Sequence, residues 1–455
     1  MQENRPPKAV AGVAPNRGFA AGNDHPRVGR WANQVLVIAF VGGLYLPVAQ
    51  MLLGLFPEHK PFENRRLAAA PAQPSGWESL KEFPTEFEQY FDDHFGFRNT
   101  FLRWNNLVRV RWLGAAMVTS DTIATKAPTG GGAAIATVRR NSAPANRPGF
   151  QSRLLVARGD NGWLYSGGAL VKQYYDSRSF TPDQLAGWRT VFEQRQQWLQ
   201  ARGIRYLLVF CPVKASIYPQ HMRTPPPHAD EPSGLDKMLE ELVSNSSIDF
   251  VDLRAAVLVP QVELRTYHRT DTHWNEYGAY LGYREIISAL QQWFEVADAW
   301  PLTAFDIDHR DVAGGDLARM MGLSEDLREE SIDLVPLNAR QAAPPVPPWS
   351  GLVRYRAQMA VGSFPWDSRH PDESLPSAVV CHDSFGFNLI PFLAEHFSEV
   401  VFYHSPSFTF TSSAIEERRP QVVIDITVDR RLANPPVRNS DEVVDELLDG
   451  SAVPE

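Results

Sequence analysis

Ser384 is the residue around which chemistry can be built in this chain. It lies in Pro376-Ser-Ala-Val-Val-Cys-His-Asp-Ser-Phe-Gly386, where Ala378, Val379, Val380 and Cys381 form an apolar run that reads as a buried strand. His382-Asp383-Ser384 breaks that run, and Asn388 to Phe397 resumes apolar residues at helical spacing. Strand, tight turn and helix lift a serine hydroxyl clear of a sheet edge. The N–H of Ser384 or Phe385, at the entry to the following helix, would then receive developing negative charge. A serine hydroxyl is a weak nucleophile without a base. Thr270-Asp-Thr-His-Trp-Asn275 offers one, because Asp271 sits two residues before His273. An aspartate so placed can hold the imidazole Nδ1–H and leave Nε2 for the serine proton.

Each motif alone reads equally well as a helix cap, since Asp, Ser and Thr favour that position. Only the combination supplies nucleophile, base and orienting carboxylate. Asp271, His273, His382 and Asp383 could instead ligate zinc, but no HExxH or paired-cysteine spacing accompanies them. No metal or cofactor is expected. Lys214 and Tyr218, just past an apolar run, are candidates to line the cleft and orient substrate, together with Trp274, Asn275 and His382. For Lys214 and Tyr218, a solvated loop lysine and a packed tyrosine is the competing reading.

The elements that must position these residues form an α/β pattern from about Leu154 onward. Leu154–Ala157 and Gly162–Tyr165 read as paired strands around a turn. Thr181 caps a helix with Pro182 at its first position, and Gly203 ends it. Ile204–Cys211 is a buried strand, Leu235–Val243 a helix, Phe250–Leu253 a strand, and Glu276–Phe294 a helix opened by the Asp271/His273 turn. Val400–Tyr403 and Val422–Ile426 are further strands. Strands alternating with helices predict a mostly parallel sheet flanked by helices, with sites at the strands' carboxyl ends. Residues 325–375, rich in proline, read as an insertion or lid.

The charge of −9 argues against a broad nucleic-acid surface. Two cysteines, Cys211 and Cys381, form neither a zinc cluster nor a disulfide framework. A single bridge is possible if their strands are neighbours. Val35 to Phe56 carries no formal charge and only Gln50 as a strongly polar side chain, enough to span a bilayer core even with Pro47 inside. The run is too long for a signal core and lacks a prompt cleavage site, so it reads as an uncleaved anchor. The longer basic tail before it tips the N-terminus towards the cytoplasm. The chain thus divides into a disordered tail (1–34), an anchor (35–56), a helical lead-in that packs on the main domain, followed by a low-complexity loop (57–150), an α/β domain (151–432) and a loose C-terminal tail (433–455).

Asp271-Thr-His273-Trp274-Asn275 followed by Asp383-Ser384-Phe385 resembles, in type and order, the alginate O-acetyltransferase family of bacterial exopolysaccharide modification (AlgJ/AlgX-like). Glu63-Asn-Arg-Arg-Leu-Ala68, Asp93-His-Phe-Gly-Phe-Arg98, Gly162-Trp-Leu-Tyr165, Pro212-Val-Lys214, Ile217-Tyr-Pro219 and Asp429-Arg430 fit the same pattern, so the resemblance spans about residues 60–432. It implies a circularly permuted SGNH hydrolase-like domain. Ser384 would be the nucleophile, His273 its base and Asp271 the orienter. It further implies a polysaccharide substrate, an acetyl donor supplied by a multi-pass membrane acyltransferase, and a single-pass inner-membrane protein with its catalytic domain in the periplasm. One departure stands out: His382 occupies the place of the family's usual glycine. An esterase using the same triad, or a non-catalytic polysaccharide-binding subunit, are the alternatives.

Overall fold

The computed structural model describes residues 30–54, 68–111, 117–119, 155–167, 180–223, 231–258, 264–343, 365–405, 410, 412–437 and 439. The low-complexity loop at 127–148, most of the N-terminal tail and the last residues of the C-terminal tail lie outside these. The chain forms two compact units, one from residues 1–57 and 67–98, the other from 58–66 and 99–455.

The first unit holds α1 (Arg30–Leu53) and α2 (Trp77–His94). Within α1, Gln34–Leu53 is long and apolar enough to cross a membrane. Gly96, just past α2, lies against the Pro47 carbonyl and the Gln50 side chain so closely that no Cβ would fit. The lead-in helix α2 therefore groups with the apolar helix in one unit, while the following lead-in helix, beginning at Arg98, bonds to the second unit through Arg103 to the Gly322 carbonyl and Asn106 to the Met321 carbonyl.

The second unit begins in α3 (Arg98–Arg111) and a small antiparallel sheet of β1 (Met117–Thr119), β2 (Leu155–Arg158) and β3 (Leu164–Ser166). In α4 (Pro182–Gln200) the Thr181 hydroxyl accepts from the Gln184 N–H as expected, and Gly203 at φ +71° turns the chain into β4 (Arg205–Cys211). Then come α5 (Gly234–Asn245), β5 (Phe250–Asp252) and α6 (Glu276–Leu290). After these stand β6 (Phe305–Val312), α7 (Asp316–Met320), β7 (Glu329–Pro336), β8 (Trp366–Arg369), β9 (Ser377–His382), β10 (Glu399–His404) and β11 (Val422–Val428).

The main sheet is mixed, in the order β5-β4-β11-β9-β10-β8, with β8 antiparallel on β10 and the other pairings parallel. Val209, Val379, Val400, Val423 and Ile424 are fully buried in it, as near-continuous apolar runs in a covered parallel sheet should be. Beneath it Arg195 of α4 donates to Asp425 at 2.8 Å, and Asp425 also accepts the Tyr206 hydroxyl at 2.7 Å. Because β11 separates β4 from β9, Cys211 and Cys381 sit on strands that are not neighbours, and both are buried outside any disulfide.

Two expectations change. The span 325–375 is not a plain insertion: β7 pairs along its full length with β6, and β8 completes the main sheet. The helix expected after Ser384 is three short turns, Gly386–Asn388, Ile390–Leu393 and Ala394–His396. Pro391 has no N–H to give, and tight bonds such as Leu389 N–H to the Gly386 carbonyl (2.9 Å) interrupt the ladder, leaving a single α turn at Ile390–Leu393.

Candidate active site

The turn after β9 is built on Asp383, not on a helix end. One Asp383 oxygen accepts the Phe385 N–H at 2.9 Å; the other accepts the Val428 N–H at 2.8 Å and the Arg431 Nε at 3.1 Å. Asp383 is therefore a buried brace between β9 and β11. It also consumes the Phe385 N–H, which removes one of the two expected oxyanion donors. The Ser384 N–H meets no acceptor among the described residues, and Ser384 itself is half-buried.

His273 Nε2 lies 2.8 Å from Ser384 Oγ, and His273 Nδ1 lies 2.7 Å from Asp271 Oδ1. The same Asp271 oxygen accepts the His273 backbone N–H at 3.0 Å, which fixes ring and carboxylate in one frame. Asp271 and His273 are 5% and 8% exposed, so their interaction is little screened by water. Phe385 flanks the imidazole at 4.9 Å between ring centroids.

Sequence reasoning missed Asp316, at the start of α7. Its N–H donates to Asp271 Oδ2 at 2.9 Å, its Oδ1 accepts the Thr272 N–H at 2.6 Å, and its Oδ2 stands 3.7 Å from His273 Nδ1. Burial and the Asp271 charge push its carboxyl above the usual range. Gly315 permits the approach, because a Cβ there would collide with Asp271. Glu329 at the start of β7 was also missed. It accepts the Arg269 N–H at 2.6 Å, the Thr270 N–H at 3.1 Å and the Thr270 hydroxyl. Gly314-Gly315-Asp316 reads as an ordinary turn and cap, and only the hairpin brings it to Asp271. We expect Asp316→Asn, which keeps an acceptor for Thr272, to lower kcat about tenfold with KM unchanged. Steady-state kinetics would check this; an equal rise in KM would assign Asp316 to substrate contact.

The five residues expected to contact substrate are all buried, and each has a different task. Lys214 is 3% exposed, and its ammonium donates to the carbonyls of His268 (3.1 Å), Arg269 (3.0 Å) and Asp271 (2.6 Å). Burial pulls it down to about 8, so it remains charged at neutral pH. It clamps the loop that carries Asp271 and His273. The Tyr218 hydroxyl accepts the Thr266 N–H at 2.7 Å, and its ring stacks on Trp163. Trp274 Nε1 donates to the Phe385 carbonyl at 3.2 Å, tying the histidine loop to the nucleophile turn. Asn275 caps α6 by accepting the Gly278 N–H at 2.9 Å. His382 lies under the turn with Nδ1 2.7 Å from the Asp383 carbonyl, and Gly386 makes room for it, since a Cβ there would strike the imidazole. Half-exposed groups around the turn are instead Thr272, Asp316, His404, Arg430 and Arg431, with the Arg430 guanidinium 6.0 Å from the Phe385 ring centre.

Lys214→Met should destabilise the fold by about 2–4 kcal/mol, since the buried Asp271 carbonyl and the part-buried carbonyls of His268 and Arg269 lose their donor. It should also lower activity at temperatures where the variant is still folded, because the loop is no longer held. Urea unfolding beside rate measurements tests both parts; unchanged stability would refute the clamp.

The metal alternative does not assemble as read, since both Asp383 oxygens are committed to the turn. Asp271, His273 and Asp316 do place ligand atoms within 4.8 Å of one another. Their hydrogen bonds to each other and to Ser384 account for that closeness.

Residues 156–348 match the family described as SGNH hydrolase-like domain, acetyltransferase AlgX. The chain is 26% identical over 140 residues to the probable alginate O-acetylase AlgJ of Pseudomonas syringae pv. tomato, covering 30% of this chain and 34% of the relative. It is 28% identical over 132 residues to the probable alginate O-acetylase AlgJ of Pseudomonas aeruginosa, covering 27% and 30%. The matches thus span about a third of the length of these relatives. Among solved structures, the O-acetyltransferase domain of Pseudomonas putida AlgJ aligns with a TM-score of 0.43 at 18% identity, over 65% of this chain and 98% of that one. The resemblance read from the motifs is borne out, with residues 156–348 similar to an SGNH hydrolase-like domain. Asp271 and His273 fall inside the matched residues and Ser384 beyond them.

Proposed function

We propose that this protein is an O-acetyltransferase that moves acetyl groups onto hydroxyls of a bacterial exopolysaccharide through an acyl-enzyme on Ser384. The observation that carries this reading is His273 suspended between Asp271 Oδ1 at 2.7 Å and Ser384 Oγ at 2.8 Å. Ser384 Oγ attacks the acetyl carbonyl of the donor and gives its proton to His273 Nε2. The Ser384 N–H stabilises the oxyanion, the donor's leaving oxygen departs with the proton from His273, and an acetyl ester remains on Ser384. A sugar hydroxyl then gives its proton to His273 and takes the acetyl group, and the proton returns to Ser384. Asp271 keeps the imidazole in the tautomer that makes each transfer possible.

The similarity to alginate O-acetylases supports an acidic polysaccharide as acceptor. The apolar helix α1 supports a single-pass inner-membrane anchor with the catalytic unit in the periplasm. A multi-pass membrane acyltransferase as acetyl supplier follows from the resemblance alone. Because Asp271 and His273 precede Ser384 in the chain, we read the domain as circularly permuted.

The test uses the full chain in detergent with a chromogenic acetyl ester and oligosaccharides of an acetylatable polysaccharide. Acetyl groups on the sugar, found by mass spectrometry, are the expected result. Acetate released to water with none on sugar would make the protein an esterase. No turnover, with no labelling of Ser384 by a fluorophosphonate, would sink the reading.

A further inference from the structure

We propose that α2 is a second membrane contact, lying in the interfacial layer of the bilayer that α1 crosses, with its acidic face towards water. The inference rests on α1 being a span. In α2, Trp77, Leu80, Pro84, Phe87 and Phe91 recur at spacings of three and four on one side of the helix, with Glu88 and Asp92 at the edge of that stripe, while Glu82, Glu86 and Asp93 take the other side. Trp77, Leu80 and Phe87 are 71%, 49% and 46% exposed. The stripe is open over the first three turns of the helix and half-buried at Phe91, and an exposed apolar stripe of this kind marks a surface made for a partner.

The position of the helix selects the partner. Gly96, two residues past α2, packs on Pro47 and Gln50 in the last turns of α1, so the end of α2 is tied to the end of the apolar helix. That is where the chain leaves the hydrocarbon, and a helix held there meets the headgroup layer first. The rings of Phe83, Phe87 and Phe91 follow one another at 6.0 and 6.4 Å, giving a continuous aromatic surface of the kind that settles at that depth. At its start, the Lys81 ammonium lies 5.8 Å over the Trp77 ring, an amphipathic pair suited to the boundary. The acids on the opposite face would be repelled by anionic lipid, so the surface is a zwitterionic one.

The test places an environment-insensitive fluorophore on the full chain in phosphatidylcholine vesicles with brominated acyl chains. The two native cysteines are buried, so single labels can be set at Leu36→Cys in α1, Leu80→Cys on the stripe and Glu82→Cys on the acidic face. We expect strong quenching at 36, and at 80 at least about threefold more than at 82. Quenching at 36 with none at 80, or with 80 and 82 alike, overturns the inference while the span stands, and would leave the stripe to a protein partner. Absence of quenching at 36 removes the span and the inference with it. Deeper quenching at 80 after phosphatidylglycerol is added would overturn the assignment to a zwitterionic surface.

Discussion

Ser384→Ala and His273→Ala should each lower kcat/KM for acetyl-ester turnover by about a thousandfold or more. The double variant should fall no further than the worse single one, because nucleophile and base act as one unit. Asp271→Asn should fall by a similar factor with its fold intact. Its amide can still accept the His273 N–H, but it no longer compensates the imidazolium that forms when Ser384 gives up its proton. The 2.8 Å contact between His273 Nε2 and Ser384 Oγ makes the proton path direct, so no water is needed to relay it. A fluorophosphonate should label the wild type at Ser384 and neither single variant. Activity within about tenfold of wild type in Ser384→Ala would mean that another group carries the acyl chemistry, and the triad would have to be abandoned.

Much of this site can be read from local chemistry. Thr181-Pro182 and the apolar runs at Arg205–Cys211 and Ser377–His382 each declare themselves through residue type within a few positions. The order of Asp271, His273 and Ser384 is likewise visible, because Asp271 and His273 stand just before the helix Glu276–Leu290 and Ser384 just after the apolar strand Ser377–His382. What could not be read is what joins them. The β6–β7 pair has no clean alternation, Phe305-Asp-Ile-Asp-His-Arg-Asp-Val312 against Glu329-Glu-Ser-Ile-Asp-Leu-Val-Pro336 breaking it with polar runs, and its pairing spans sixteen residues that include α7. Asp316 and Glu329 reach the catalytic loop only through that pairing.

The five residues assigned to substrate show the complementary limit. Residue type identified Lys214, Tyr218, Trp274, Asn275 and His382 as groups near the chemistry, but type cannot say which way a side chain points. All five turn inward, because a loop that must hold a charged pair in a fixed frame needs its own carbonyls and N–H groups satisfied first. His382 shows how a departure from the family pattern is absorbed. The imidazole takes the space that Gly386 leaves empty, so a histidine fits beneath the turn.

That absorbed histidine has a thermodynamic consequence: the protein should lose stability steeply as pH falls from 6.5 towards 4. Burial pulls both His382 and His396 down from the usual 6.5 to about 4. His382 is set against His404 and the Asp383 carbonyl, and His396 against the Tyr283 hydroxyl at 2.6 Å. In the unfolded chain each imidazole takes a proton near pH 6.5, whereas in the folded protein each resists until about pH 4. Across that window the unfolded state binds more protons, so stability rises with pH and is lost on acidification. Each histidine contributes about 1.4 kcal/mol per pH unit, and the pair about 3. Over the whole window that approaches the total stability of about 5–15 kcal/mol of an ordinary domain. Urea unfolding at pH 7.5, 6 and 5 should give this slope, and His396→Gln should roughly halve it. The imidazole proton signals of both residues should stay unshifted until well below pH 5. A flat stability profile, or two histidines titrating near 6.5, would show that water reaches these rings and that the turn beneath Ser384 is looser than its packing requires.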